Sequence, residues 1–384
     1  MAKWYDNPQG ESEVDEYLDV LPDGLKKGRG AGLNPGNRFE TTRLHVLGDH
    51  LDRIMVDSEE APGQQISTIV YRDKSKEVIN HVDPVKSPDI GYEWALNPYR
   101  GCEHGCIYCY ARPYHEYLGF SSGIDFESRI IAKMNAAELL REELASPKWK
   151  GETIVMSGIS DAYQPVEEKL RITRACLEVM LECRQPVGLI TRSKRILRDL
   201  DLITQLAAFD AVHVAVSLTT LDAKLAAKME PRASSPADRL MTIRQLSEAG
   251  IPVTVMTAPI IPAINDRELP ALLEAAAEAG AVRAGFTLLR LPWQIKALFL
   301  EWVQRQFPDR AAHVESLIRG AHHGKLYDAK HFTRRRGEGP FAEQIASVFK
   351  VFTKRYGLNE KKHVLSNASF RRPQKNGQMG LFDG

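Results

Sequence analysis

The middle of the chain alternates short apolar runs with longer amphipathic stretches. The runs are rich in Val, Ile, Leu and Met, which predicts buried strands, whereas the stretches place apolar residues at helical spacing and several end on Gly. Strands are predicted at 93–97, 153–158, 187–192, 212–218, 252–258 and 283–290, and helices at 135–145, 173–183, 235–250 and 267–280. Nearly continuous apolar strands with helices between them indicate a parallel sheet covered on both faces.

Six such units predict an α/β fold built as a partial (β/α)6 barrel of the TIM type, in which the chemistry lies at the carboxyl ends of the strands. The predicted organisation is an irregular N-terminal extension (1–91), the barrel (92–310) and a basic, helical C-terminal extension with a flexible tail (311–384). Residues 24–40 are rich in Gly, Asn, Pro and positive charge. They are interpreted either as a nucleic-acid-binding arm or as a loop wrapped over the barrel.

Charge is balanced over the whole chain but uneven along it. The chain has 51 Lys and Arg against 50 Asp and Glu, a net charge of +1, which indicates no particular class of partner. Residues 322–384, however, carry thirteen Lys and Arg against five Asp and Glu. Such asymmetry favours a phosphate-binding face and hence a nucleic acid as partner. The alternative is a solvated basic surface whose charge is balanced by acidic residues elsewhere in the chain.

Three of the five cysteines lie within eight residues, Cys102, Cys106 and Cys109, in the spacing C-x3-C-x2-C directly after the first predicted strand. Three thiolates on one short loop can hold three corners of a 4Fe–4S cluster and leave the fourth iron open to an outside ligand. The alternative is a structural zinc site with His104 or His115 as fourth ligand. A second Cys knuckle is missing, because the two other cysteines fall in an apparently helical, core-facing run.

The motifs around these cysteines resemble the radical S-adenosylmethionine (SAM) superfamily. Within it, NPYRGCEHGCIYCYARPYHEYLGF, SDAYQP, TRACLEV, EPRASSPADRL and APIIP resemble the spore photoproduct lyase-like branch over approximately residues 92–340. The resemblance implies the partial barrel, a 4Fe–4S cluster and SAM. It also implies that a reductase, flavodoxin or ferredoxin would donate one electron to the cluster. SAM would then break into methionine and a 5′-deoxyadenosyl radical that abstracts hydrogen from the substrate.

Polar side chains at the predicted strand ends are the candidates for binding SAM. They are Ser157, Ser160, Asp161, Arg192 and Ser217, together with Tyr108 in the cysteine loop. The resemblance places Tyr110 near the substrate as a catalytic residue, and it matches Ser160, Asp161, Arg192 and Ser217 to family positions. Glu230 and Arg232 are interpreted either as SAM contacts or as an ion pair with each other.

One position departs from the lyase pattern. The resemblance implies a hydrogen-donating cysteine where this chain has Gly158. Without that thiol, reversal of a thymine cross-link is in doubt, although Tyr108 or Tyr110 is an alternative donor. The reaction is therefore predicted as radical SAM chemistry in DNA repair or nucleic-acid modification. Two alternatives stay open: radical chemistry on RNA, protein or a small molecule, and a non-catalytic zinc-bearing nucleic-acid module.

The last residues predict a protein partner. Gln378, Leu381 and Phe382 resemble the Q-x-x-L-F peptides that bind the bacterial sliding clamp, and exposed Leu and Phe at a polar terminus indicate an anchor that docks elsewhere. Neither an apolar signal segment nor an apolar run of about 20 residues is present in the sequence, so we expect a cytoplasmic protein without a membrane span.

Overall fold

The computed structural model describes residues 28–39, 66–360 and 363–373. Its strands are β1 (Ile69–Arg72), β2 (Ile79–His81), β3 (Trp94–Leu96), β4 (Tyr99–Arg100), β5 (Arg129–Ala132), β6 (Ile154–Met156), β7 (Val187–Thr191), β8 (Val212–Ser217), β9 (Val253–Ile260) and β10 (Arg283–Leu288). Its α-helices are α1 (Ile124–Ser128), α2 (Ala136–Leu144), α3 (Glu167–Leu170), α4 (Ile172–Cys183), α5 (Leu200–Ala207), α6 (Ala223–Met229), α7 (Pro236–Glu248), α8 (Leu269–Glu278), α9 (Ile295–Gln306), α10 (Ala311–Gly320), α11 (Thr333–Arg336) and α12 (Pro340–Arg355).

The central sheet has the order β10-β9-β8-β7-β6-β3-β2. Its first six strands run parallel and follow chain order, whereas β2 pairs antiparallel with β3 at one edge. Strand β8 illustrates why the apolar runs are strands, since five of its six residues, including Val212, Val214 and Val216, are buried. The predicted α/β fold, all six predicted strands and the four predicted helices are confirmed.

A second, three-stranded sheet of order β1-β5-β4 was not predicted. Its strands are short, and all four residues of β1 are exposed, so no apolar alternation marks them. Strand β4 ends immediately before the cysteine loop, and the amide of Cys102 donates to the carbonyl of Phe126 over 2.9 Å. This small sheet therefore fixes where the loop leaves the barrel.

Residues 28–39 form a loop packed against the cysteine loop, which is the second of the two interpretations of residues 24–40. A β-carbon on Gly30 would lie 1.8 Å from the carbonyl oxygen of Gly105, so only glycine permits this approach. The carboxylate of Glu127 accepts hydrogen bonds from the amides of Gly30 (2.9 Å) and Ala31 (2.8 Å). The segment is thereby tied to α1 as well as to the cysteine loop.

The C-terminal part is helical, as predicted, and packs on the barrel. Helix α12 buries Ala342 and Ile345 in the main core, and the ring centroid of Phe349 lies 4.6 Å from that of Phe286 in β10. Residues 363–373 then cross the amino ends of the strands, where the amide of Ser366 bonds the carbonyl of Asp210 over 3.0 Å. None of the described helices has the length and apolarity to cross a membrane.

Four of the described basic side chains of residues 322–384 bind groups within the fold, and the phosphate-binding face stays a prediction. Arg334 and Arg335 bond Asp89, whereas Arg371 and Arg372 donate to backbone carbonyls at the amino ends of β6 and β7. Gln378, Leu381 and Phe382 lie outside the described residues, and the clamp contact stays a prediction.

Candidate active site

The three cysteines lie on one tightly folded loop between β4 and the 3-10 helix Arg112–Leu118. Gly101 and Gly105 turn this loop with φ angles of 80° and 67°, a region that disfavours other residues. The thiols of Cys102 and Cys106 are buried, and that of Cys109 is partly exposed. Burial raises the pKa of Cys106 to about 12 although Arg192 opposes the shift. Binding of a metal would therefore have to displace the thiol proton.

A buried arginine that the sequence analysis missed holds the loop in place. The guanidinium of Arg112 donates to the carbonyl of Cys106 (3.0 Å) and to the carboxylate of Glu127 (2.5 Å). Both Arg112 and Glu127 are completely buried. Since Glu127 also binds residues 30 and 31, one ion pair joins the cysteine loop, α1 and the N-terminal segment. The sequence gives no signal for it, because Arg112 follows the motif and Glu127 belongs to no predicted element.

Arg192, at the end of β7, lies beside the cysteine loop, together with Tyr108. Its Nη1 atom is 2.9 Å from Cys106 Sγ, 2.7 Å from the Tyr108 hydroxyl and 3.1 Å from Glu230 Oε1. Glu230 is buried and also accepts from Tyr108 and Arg239. Burial alone would raise the pKa of Glu230, but Arg239 and Arg192 hold it at about 2. A buried carboxylate thus fixes two cations and a phenol next to Cys106.

The interpretation of Glu230 and Arg232 as an ion pair with each other is wrong. Glu230 pairs with Arg192 and Arg239, whereas Arg232 Nη2 lies 3.3 Å from Glu103 Oε1. Glu230 follows the last residue of α6 and its side chain is buried between β7 and α7. Arg232, two residues later, reaches the cysteine loop instead.

Asp161 connects three elements beside the cysteines. Its carboxylate accepts from Thr191 Oγ1 (2.8 Å) and the Arg192 amide (3.0 Å), and it lies 3.3 Å from His104 Nδ1. Burial would raise the pKa of Asp161, but His104 and the Arg192 amide bring it to about 2. A fixed, ionised carboxylate therefore joins the loop after β6 to the end of β7 and to the cysteine loop.

The three candidate serines already make contacts within the fold. Ser160 donates to the carbonyl of Tyr99 (3.0 Å), and Ser157 Oγ accepts from the Ala162 amide (2.8 Å). Ser217 ends β8, is buried, and its carbonyl accepts from Arg239 (3.2 Å). All three lie at carboxyl ends of strands, as predicted. Their role toward SAM stays a prediction.

Tyr110 follows Cys109 directly in the chain and is exposed to solvent. Its hydroxyl donates to the carbonyl of Gly158 over 2.7 Å, and the guanidinium carbon of Arg290 lies 4.8 Å from its ring centroid. The Tyr92 hydroxyl lies on the other side of Gly158, 2.8 Å from where a β-carbon would stand. Tyr92 escaped the sequence analysis because it precedes the first predicted strand. Arg290 was missed although it closes the last predicted strand, the kind of position at which the other candidates were found.

The chemistry of the donor set fits a cluster better than a single zinc ion. His104 faces Asp161, and His115 packs between Phe120 and Phe126, where burial lowers its pKa to about 4. In the part of the chain that the structure describes, no three His, Cys, Asp or Glu side chains converge on one metal position. A structural zinc ion needs four such ligands around one point. A cubane distributes its thiolates over separate irons, so three cysteines on one loop suffice.

Comparison with known proteins agrees with this geometry. The family model of the radical SAM superfamily matches residues 96–276. An uncharacterized protein of Mycobacterium tuberculosis is 34% identical over 230 residues, which cover 59% of this chain and 68% of that protein. Another, from Methanocaldococcus jannaschii, is 30% identical over 199 residues, covering 52% of this chain and 70% of its own length.

Solved structures share the fold. Spore photoproduct lyase complexed with dinucleoside spore photoproduct superimposes with a TM-score of 0.53 at 15% identity, covering 76% of this chain and 80% of that one. A mutant of the same lyase with bound AdoMet and the dinucleoside matches equally well. At this identity the likeness speaks for the fold alone. Residues 96–276 carry the domain of the radical SAM superfamily, and this chain belongs to that superfamily.

Proposed function

We propose that this protein is a radical SAM enzyme that acts on DNA, with a 4Fe–4S cluster held by Cys102, Cys106 and Cys109. With both cofactors bound, one electron from a flavodoxin, ferredoxin or reductase cleaves SAM to methionine and a 5′-deoxyadenosyl radical, which takes a hydrogen atom from the substrate. The cysteine loop carries this proposal, because it places three free thiols within eight residues of one short loop.

The surrounding residues receive roles that match their contacts. Arg192 brings a cation to Cys106 and its position suits the SAM carboxylate, since a guanidinium can bind a carboxylate with two hydrogen bonds. Tyr108 is oriented by Glu230. Ser157, Ser160, Asp161 and Ser217 lie at the strand ends that would surround the rest of SAM, with Asp161 positioning the loop.

Tyr110 separates the cofactor side of the site from its entrance. Its hydroxyl is held by Gly158 and its ring is covered by Arg290, so the phenol has a fixed direction. We assign it to the substrate side, where it limits which C–H bond reaches the radical. Fixed geometry matters here because a misplaced reacting atom loses much of the rate.

Two observations support a nucleic acid as substrate. Arg290 and Arg335 are the cationic neighbours of Tyr110, and they suit phosphate groups at the entrance. In addition, the lyase that shares this fold has been solved with a dinucleoside photoproduct. DNA is preferred to RNA on the strength of the motif resemblance, and DNA repair is the biological role that we propose.

The experiment is isotope transfer. The anaerobically reconstituted, reduced protein is given SAM and a perdeuterated DNA oligonucleotide, and 5′-deoxyadenosine is analysed by mass spectrometry. Deuterium in 5′-deoxyadenosine is expected with DNA and not with perdeuterated RNA of the same sequence. Label from RNA alone would contradict the DNA assignment, and product without label from either polymer would place the substrate in another chemical class.

A further inference from the structure

Three large aromatic side chains are more than half exposed to solvent. Phe39, Tyr117 and Trp293 are 53%, 53% and 57% exposed. They come from three separate parts of the chain: the N-terminal segment, the 3-10 helix after the cysteine loop, and the loop after β10. All three surround the guanidinium of Arg38, at 4.7, 5.6 and 4.3 Å from ring centroid to guanidinium carbon. We call these four residues the aromatic platform.

The platform is rigid and is not part of the core. The Nε atom of Arg38 lies 2.9 Å from Glu116 Oε2, and the side chain of Asn37 bonds the Glu116 carbonyl over 2.8 Å. The Asn37 side chain also accepts from the Phe39 amide over 2.8 Å. None of the three rings belongs to a hydrophobic cluster of the described residues. A cluster of exposed rings outside the hydrophobic core indicates a binding surface.

Tyr114 connects the platform to Tyr110. Its ring centroid lies 6.4 Å from that of Tyr117, and half of its surface is exposed. Burial raises the pKa of the Tyr92 phenol, which Arg335 opposes and the neighbouring Tyr114 reinforces. Tyr92 in turn neighbours Tyr110 across Gly158. An extended ligand lying on the platform therefore leads toward the candidate site.

We propose that the aromatic platform stacks unpaired bases of single-stranded DNA next to the reacting nucleotide; this rests on the proposed function and names the form of its substrate. Bases offer flat π faces to Phe39, Tyr117 and Trp293, and the phosphates between them suit Arg38 and Arg290. The bases of a duplex are already stacked on each other and cannot reach separate rings. An apolar peptide would gain little from a guanidinium at the centre of the surface.

The test is fluorescence anisotropy with a fluorescein-labelled DNA 12-mer, free or annealed to its complement, on the full chain. The single strand is expected to bind more tightly than the duplex. Phe39→Ala with Trp293→Ala should weaken single-strand binding by about 10-fold or more, since each base–aromatic stack contributes roughly 5- to 100-fold. Trp293→Phe should retain most of the affinity, and Val351→Ala, which truncates an exposed apolar residue on α12, should change nothing.

Equal affinity for both DNA forms, or unchanged affinity of the double variant, would contradict the proposal that the aromatic platform binds single-stranded DNA. Loss of a concentration-dependent dimer in that variant would also overturn it, because the occupant would then be a second copy of the chain. Cys106→Ala should bind single-stranded DNA normally while making no 5′-deoxyadenosine. Platform and proposed function therefore fail separately: label transfer from duplex DNA without single-strand preference removes only the platform.

Discussion

The hydroxyl of Tyr92 lies 2.8 Å from the point where a β-carbon on Gly158 would stand. On the other side, Tyr110 donates its hydroxyl hydrogen to the Gly158 carbonyl. Two phenols thus enclose a position without a side chain. A cysteine at this position, which the lyase-like resemblance implies, would require the Tyr92 hydroxyl to shift.

This contact predicts coupling between residues 92 and 158. Gly158→Ala should lower the free energy of unfolding by about 1–3 kcal/mol, because its methyl group overlaps the Tyr92 oxygen. Tyr92→Phe should relieve most of that cost, so the double variant is more stable than the sum of the two single variants predicts. Urea denaturation measures all three. Gly36→Ala, where a β-carbon meets nothing within 4 Å, is the matched control; strict additivity at 92 and 158 would refute the contact.

The buried network of Glu230 predicts that substituting Glu230 lowers the free energy of unfolding far more than substituting the exposed Glu168. Glu230→Gln should cost about 3–5 kcal/mol, because Arg192 and Arg239 lose the carboxylate between them. Glu168→Gln removes an exposed pair with Arg195 and should cost less than about 1 kcal/mol. Chemical denaturation of both variants gives the comparison. Similar small losses in the free energy of unfolding of both variants would show that the Glu230 network does not stabilise the fold.

His213 predicts how stability depends on pH. Burial, together with the neighbouring Arg283 and His363, lowers the pKa of His213 to about 4. Between pH 6.5 and 4 the unfolded chain therefore binds a proton that the folded chain does not, so stability falls as the pH drops through this window. The loss of stability over this window is about 3 kcal/mol, since one pKa unit corresponds to roughly 1.4 kcal/mol.

His213→Gln isolates this contribution in denaturation curves at pH 4, 5, 6 and 7. The variant should lose less stability than the natural chain on acidification, because glutamine does not titrate. His313→Gln, at an exposed histidine, is the control and should follow the natural chain. Parallel curves for His213→Gln and the natural chain would refute this origin of the acid sensitivity.

The C-terminal peptide predicts a partner independently of the active site. Leu381→Ala with Phe382→Ala should abolish retention on an immobilised bacterial sliding clamp, because these side chains would fill the pocket for Q-x-x-L-F peptides. Lys375→Ala, three residues before Gln378, should leave retention intact. Equal retention of both variants, or none for the natural chain, would exclude the clamp as partner.

The sequence was sufficient for the sheet because burial on both faces leaves long apolar strands such as Val212–Ser217. The sequence was also sufficient to place the cysteine loop at the carboxyl ends of the strands, because the loop follows the first predicted parallel strand. It could not reveal β1 or β4, which are short or exposed and carry no apolar alternation. Local sequence thus predicts those elements whose burial leaves a regular apolar pattern along the chain.

Contacts between distant segments are the part that the sequence could not supply. The pairing of Arg112 with Glu127 and the position of Tyr92 next to Gly158 depend on how loops fold over each other. The error at Glu230 has the same origin, since nearness in sequence to Arg232 does not determine which way each side chain points.

The most direct test of the central claim is anaerobic SAM cleavage by the reconstituted, reduced protein. The natural chain and Cys183→Ala, which alters a cysteine buried in α4, should both yield 5′-deoxyadenosine and methionine, whereas Cys106→Ala should yield neither. Iron content and the absorbance of the cluster are measured on the same samples. Undiminished cleavage by Cys106→Ala, or a natural protein that takes up zinc but no iron, would contradict the assignment of this loop.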